Sequence, residues 1–339
     1  MLKAIFLLII FFNLQAIATT AAYEQACSSK MLDLRKLGPV RNQSDVGWCY
    51  AFAAADMATY YLGQRVSAVD IAANFISRDP VTGSMRNTPG LSGERIMHWS
   101  ASNGTYEGGI IGAALAGEND RGFCSENLVR SDNFPDYTKV DETLGQFTKA
   151  IFDFDRRLNN MDGKLNNKVC RDGGVAIRAI FPKGNIKDIV NILNQYDYDQ
   201  SWRVMTDAVC EGNRTKLPAN FKVRVNNGDR NSQLSQIDKA LNSGDIVGIG
   251  YDYAKLVYDT TGTVISRWYS PAPAQGGHAS TVVGRRFNPR SKTCEYAIRN
   301  TAGAYCDPGF TREQCHDGYM WVEKENLLTT ILSVTYIQK

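Results

Sequence analysis

A cysteine, a histidine and an asparagine stand in an order that could run acyl transfer through a thiol. Cys49 lies in Gln43-Ser44-Asp45-Val46-Gly47-Trp48-Cys49-Tyr50-Ala51-Phe52, His278 in Gly276-Gly277-His278-Ala279, and Asn300 in Ile298-Arg299-Asn300-Thr301-Ala302-Gly303. A thiol attacks a carbonyl as the thiolate, which is scarce at neutral pH unless an imidazole takes the proton. The imidazole in turn needs a group that holds its tautomer and ring plane. The tetrahedral intermediate needs donors aimed at its oxygen, each worth on the order of 3 kcal/mol of barrier. Gln43 and the Cys49 N–H are the candidate donors. The chain has only three histidines, so His278 has few rivals as the base. His98 sits in an apolar stretch and is expected in the core. His316 follows Cys315 in a polar loop, and zinc there would need four ligands at short spacings. Neither a metal nor a cofactor is expected. Cys49 alone could be a small buried hydrophobe and Asn300 an ordinary strand-end residue, but the shared order favours the chemistry.

The elements that must position these groups are legible in the pattern. Cys49 opens a run of helix formers to Leu62, with Gly63 as the stop. A thiol at a helix N-terminus gains thiolate stabilisation from the helix dipole. Gln43 reaches the oxyanion position only if Asp45-Val46-Gly47 turns sharply. Further helices are expected at 92–100, behind a Ser92 cap, and at 108–118. The second half shows period two: 221–225, 245–251, 279–286, 294–300 and 319–323 read as strands. Gln233 to Asn242 reads as a helix ending at Ser243-Gly244. A helical half followed by a stranded half gives an α+β class, with the site in the cleft between them.

These strings resemble the papain-like cysteine peptidases over roughly residues 31–137 and 220–336. The resemblance also rests on Gly38-Pro39-Val40-Arg41-Asn42-Gln43, on Gly108-Gly109 with the residues after it, and on Gly318-Tyr319-Met320-Trp321-Val322. It implies a papain-like two-lobe fold, a helical lobe plus an antiparallel β-barrel-like lobe, with the active site in the cleft. It implies a thiol endopeptidase working through an acyl-enzyme. Cys49 would be the nucleophile, His278 the base and acid, Asn300 its orienter, and Gln43 with the Cys49 N–H the oxyanion hole. Gly108 and Gly109 would pair with the substrate backbone. Ile110, Ile111, Gly277 and Ala279 would line an apolar pocket for the second residue before the scissile bond.

The chain also departs from that family. Val46 and Tyr106 stand where it usually has two cysteines of one bridge. Trp48 replaces a small residue, and Ala302 replaces a tryptophan that shields the Asn–His contact from water. The last two changes favour an alternative, a catalytically weak homologue that binds peptides or surfaces. An amidase or transglutaminase-like enzyme on the same scaffold fits less well with a backbone-binding glycine pair. His278 follows Cys49 by 229 residues (278 − 49), against about 130–150 in the family. An insert is therefore expected at about 138–218. Helical spacing of Leu144, Phe147, Ile151, Phe154 and Leu158, and of Ile186, Ile189, Val190 and Leu193, makes it a small helical subdomain.

The 339 residues, 43% of them apolar, suffice for a sizeable core, and the net charge of +3 gives no case for nucleic acid. Lys3, the apolar run Ala4 to Phe12 and the small residues after it read as a signal peptide over 1–22. Residues 23–339 are then the peptidase domain, exported to a secreted or periplasmic location, or to a lysosome-like compartment in a eukaryote. No later run is long enough to cross a membrane. Protein or peptide substrates and a monomer are expected. Export puts the eight cysteines in an oxidising compartment. The expected bridges are Cys306–Cys315, Cys170–Cys210 and Cys27–Cys124, with Cys294 left as a buried thiol.

Overall fold

The computed structural model describes residues 27–44, 46–77, 98–99, 106–107, 109–132, 144–151, 175–196, 198–262 and 277–339. Helix α1, Cys49–Leu62, is buried from Tyr50 through Thr59, as befits a helix apolar on every side. It stops where expected. Gly63 turns left-handed (φ 67°) and donates its N–H to the Thr59 carbonyl at 2.9 Å. Helix α2, Ala68–Ile76, starts at Ser67, whose hydroxyl accepts from the Asp70 N–H. Helix α3, Ile111–Arg121, begins three residues later than its sequence pattern suggested. The helix expected at 92–100 is corrected where it is described: His98–Trp99 is a strand, β2, paired antiparallel with β3, Tyr106–Glu107. Aromatic residues favour that pleated setting.

The second half carries one antiparallel sheet. Its strands are β1 (Lys30–Met31), β4 (Lys222–Asn226), β5 (Val247–Asp252), β6 (Gly277–Asn288), β7 (Thr293–Arg299), β8 (Cys315–His316), β9 (Tyr319–Glu323) and β10 (Ile331–Gln338). They run in the order β4-β10-β5-β6-β7-β9-β8, with β1 added to β6. The fold class is α+β. The barrel-like closure expected of this lobe is a correction, because the sheet is open and its end strands β4 and β8 do not pair with each other. Helices cover both faces instead, so closure is not needed to bury them. On one face Gly248 of β5 lies under Ile111 of α3 and Met57 of α1, and a Cβ there would meet both at about 2.9 Å. Across the sheet lies α6, Arg230–Asn242, which buries Leu234, Ile237 and Leu241.

Of the expected insert, the described residues include helices at 144–151, 175–180, α4 (Ile186–Gln195) and α5 (Tyr198–Cys210), with turns and loop at 181–185 and 211–218. Phe154 and Leu158 lie outside them. The segment shares the core of the helical half. Trp202 of α5 packs edge-on against Trp48 (centroids 5.2 Å apart) and against Phe147 (5.4 Å), with Phe181 at 6.3 Å. A buried charge cluster adds to this. Arg214 reaches Asp70 of α2 (2.8 Å) and Glu118 of α3 (3.2 Å), and Arg121 joins Asp70 to Asp207 of α5. Burial and the neighbouring Asp70 push the Glu118 carboxyl well above its usual range. Burial works the same way on Asp70, but Arg121 and Arg214 outweigh it and hold that carboxyl below its usual range.

The bridges differ from two of the three expected. Cys306–Cys315 forms as anticipated. Cys210 pairs with Cys124, and Cys27 pairs with Cys294, which is therefore no buried thiol. The cause is topological: β1 docks on β6 and β6 on β7, which carries the N-terminal arm to Cys294. Cys170 lies outside the described residues. No helix among those described is long and apolar enough to cross a membrane.

Candidate active site

Cys49 opens α1, half-buried and outside any disulfide. The loop before it is fastened to the segment after Asn300. The Gln43 N–H donates to the Thr301 carbonyl (2.8 Å), the Gly303 N–H donates to the Arg41 carbonyl (2.8 Å), and Asn42 pairs with Ala302 as an isolated bridge. The turn between Gln43 and Cys49 starts at Ser44, which adopts φ 58°. The Asn42 side chain holds it there by accepting the Ser44 N–H at 2.9 Å. Asp45 lies outside the described residues.

His278 is the second residue of β6, opposite Tyr251 of β5, and Asn300 follows β7 directly. Both are buried. The His278 Nε2 lies 2.8 Å from Asn300 Oδ1. The neighbours settle which atom donates. The Thr301 N–H donates to the same Asn300 oxygen at 2.8 Å, and the Ser280 hydroxyl does so at 3.5 Å, so that atom is the acceptor end of the amide. Nε2 must then carry the proton, which leaves Nδ1 as the basic nitrogen. Burial lowers the His278 pKa to about 4, against a smaller opposing pull from Asn300. Left to itself, the imidazole is neutral at pH 7 and able to accept a proton.

Gln43 is held at both ends of its amide. Its Oε1 accepts a hydrogen bond from the Thr301 hydroxyl, and its Nε2 donates to the Val46 carbonyl at 2.8 Å. Thr301 therefore links Gln43 to Asn300, a role the sequence did not reveal.

A buried ion group braces the same three segments from below. Asp56, two turns along α1 from Cys49, takes Arg41 on Oδ1 and Arg299 on Oδ2 (2.7 Å). Arg41 precedes Gln43 by two residues, and Arg299 adjoins Asn300. Arg41 also donates to the Val66 carbonyl (2.7 Å), and Arg299 to the Pro39 carbonyl (2.6 Å) and the Tyr319 hydroxyl (2.5 Å). Burial pulls the Arg41 pKa below its usual value despite Asp56. Burial opposes the charge on Arg299 too, but there Asp56 and Tyr319 carry the pKa above its usual value. Pattern reading missed this group. Its one signal was an aspartate inside the apolar run Ala53-Ala54-Ala55-Asp56-Met57-Ala58.

The expected substrate-binding residues are only partly described. Gly108 lies outside the described residues. Gly109 fits against the rings of Tyr50 and Phe75 so closely that a Cβ would meet them at 2.8 Å. It therefore sits beside the start of the cysteine-bearing helix. Ile110 is half-buried at the head of α3, and Ile111 is buried against β5. Gly277 pairs with Asp252, and Ala279 with Gly250.

No family model and no curated protein matches the chain. Solved structures do. One is PepW from Lactobacillus rhamnosis HN001 (12% identity over 94% of this chain and 83% of that one, TM-score 0.45). Another is digestive procathepsin L 3 of Tenebrio molitor larval midgut (13% identity, 91% and 70% covered, TM-score 0.41). A third comes from work on the mite allergens Blo t 1 and Der p 1 (16% identity, 91% and 71% covered, TM-score 0.43). At such scores these likenesses carry no functional weight, and the chemistry has to come from the residues.

Proposed function

We propose that this chain is a cysteine-type peptidase of the papain-like kind. The observation that carries the reading is the His278 Nε2–Asn300 Oδ1 contact, with its tautomer set, beside a Gln43 amide locked to Thr301 on the loop that leads into Cys49. The His278 Nδ1 takes the thiol proton, and the Cys49 thiolate attacks the scissile carbonyl. The second amide hydrogen of Gln43 and the Cys49 backbone N–H meet the oxyanion, since first-turn N–H groups have no intrahelical acceptor. The imidazolium then protonates the leaving amine, and water resolves the thioester by the same relay in reverse. Gly109 offers its backbone to an extended peptide, and Ile110 with Ala279 favours an apolar residue two before the cut. Secretion, action within chains and a monomeric state belong to the same proposal.

The weak-homologue alternative rested on Trp48 and Ala302. Trp48 is a packing residue against Trp202, which removes half of that case. The test is a thiol-directed peptidyl epoxide followed by mass spectrometry, together with hydrolysis of a fluorogenic peptide library. A label on Cys49 and hydrolysis that vanishes in Cys49→Ser and His278→Ala are expected. A folded wild-type protein that neither takes the label nor cleaves the library would leave only the binding reading.

A further inference from the structure

The surroundings of His278 hold a residue that the relay does not name. Tyr253 opens α7, Tyr253–Thr261, directly after β5, with Asp252 capping the helix through the Lys255 N–H. The strand-to-helix change at this point brings its ring onto His278. The ring centroids lie 5.0 Å apart at 62°, closer than the 5.6 Å of Tyr251, the cross-strand partner of His278. Both tyrosines are buried. Tyr251 is tied to the Ser280 hydroxyl at 3.0 Å. Tyr253 is tied elsewhere: its hydroxyl donates to the Asp307 carboxylate. Asp307 sits in the loop that follows Asn300, next to Cys306, and the Cys306–Cys315 bridge closes that loop. Ala302 in the same loop has too short a side chain to cover the His278–Asn300 pair.

We propose that Tyr253 is a positioning residue for His278. Its ring, tethered through Asp307 to the disulfide-closed loop, holds the imidazole plane and keeps water off the contact with Asn300. The inference rests on the thiol-relay reading of Cys49, His278 and Asn300. Its physical basis is that a hydrogen bond sheltered from water is stronger and better directed than a wet one. The loop then acts on the base at one remove: the bridge fixes Asp307, Asp307 fixes Tyr253, and Tyr253 fixes the ring.

The readout is the rate at which iodoacetamide alkylates Cys49 in the full folded chain at about pH 6, where an ordinary thiol is almost wholly protonated. Tyr253→Ala should slow it by about tenfold or more, the scale expected when a relay group loses its alignment. Tyr253→Phe and Asp307→Ala each break only the tether, so both should slow it by about threefold and the double variant by no more than either, as for one shared interaction. Tyr258→Ala, an exposed residue on the same helix, should leave the rate unchanged. With a peptide substrate the loss should fall on kcat and leave KM within about twofold. If Tyr253→Ala fails to fold, Tyr253→Leu keeps the apolar bulk and gives the same reading. Wild-type rates in folded Tyr253→Leu and Asp307→Ala would overturn the proposal. A wild-type Cys49 no faster than glutathione would instead bring down the relay reading, so the two failures are distinguishable.

Discussion

Asp56→Asn is the substitution whose cost the structure defines best. One carboxylate, 3% exposed, lies between two guanidiniums that are 1% and 0% exposed. Asparagine keeps the volume, but its amide can accept from one arginine only and must turn an N–H₂ toward the other. Removing one partner of a buried ion pair costs about 3–5 kcal/mol. Arg41 would keep the Val66 carbonyl, the Thr59 hydroxyl at 3.3 Å and Glu126 at 3.9 Å, and Arg299 the Pro39 carbonyl and the Tyr319 hydroxyl. Those bonds solvate both charges, but Glu126 is the one carboxylate among them; it lies at 3.9 Å from Arg41 and leaves Arg299 unneutralised. We expect a loss of about 4 kcal/mol and a fall in Tm of about 10 °C. The assay is urea unfolding at neutral pH with the bridges intact, in a Cys49→Ser background that prevents self-cleavage. The control is Glu313→Gln. It breaks the Arg290–Glu313 pair, whose side chains are 78% and 68% exposed, and should cost under about 1 kcal/mol. If Asp56→Asn cost no more than that control, the claim that this carboxylate braces the three site-bearing segments would fail.

Three further outcomes follow from the same structure. His278 is buried with its pKa lowered to about 4, whereas the unfolded chain binds that proton near the ordinary value of about 6.5. Its stabilising contribution is therefore complete above about pH 6.5 and is lost as pH falls toward 4, on the order of 3 kcal/mol in all. In the Cys49→Ser protein, His278→Gln should flatten the stability–pH curve between those limits, and parallel curves would contradict the burial cost. Opening the Cys124–Cys210 bridge, which spans 86 residues, with paired serines should lower stability by about 4 kcal/mol; a change in the urea midpoint equivalent to under about 1 kcal/mol would show that the ion cluster beside it suffices. Trp202→Ala should cost about 3–5 kcal/mol and quench the fluorescence coupling to Trp48, and an exposed-residue cost there would mean that the aromatic cluster is not formed.

Local elements were largely legible because their signals are local. The bounds of α1 came from helix formers ended by one glycine, and the strands from period two. Contacts across long chain separations were not legible. Asp56 could be flagged only as an oddity, because its arginines lie 15 and 243 residues away. The bridges followed docking that no spacing encodes: Cys27 meets Cys294 through two strand pairings. The open sheet escaped because buried strands read alike whether helices or closure bury them. Of the candidate site, the order of Cys49, His278 and Asn300 stands in the sequence, while the fastening of Gln43 by Thr301 and the ring of Tyr253 depend on pairing register. The chain enters the turn ahead of Cys49 through the left-handed Ser44, held by the Asn42 side chain, a contact no pattern encodes.

Two departures that looked unrelated in the sequence have one explanation. Trp48 seemed a bulky intruder beside the thiol, and the long gap between Cys49 and His278 seemed a separate addition. In the structure Trp202, from the stretch between Cys49 and His278, meets Trp48 edge-on, and Phe147 completes the cluster from a second helix of that stretch. Each change needs the other. A large ring before Cys49 would be left without cover if the helices were absent, and the helices would lose their docking site if residue 48 were small. The Cys124–Cys210 bridge and the reach of Arg214 to Asp70 and Glu118 fasten the far end of the stretch to α2 and α3. The stretch is thus part of the floor on which the cysteine-bearing turn rests. Cutting it out would strip apolar cover from Trp48 and leave Asp70 and Glu118 buried without Arg214, so the loss would appear first in stability and only through it in the chemistry of Cys49.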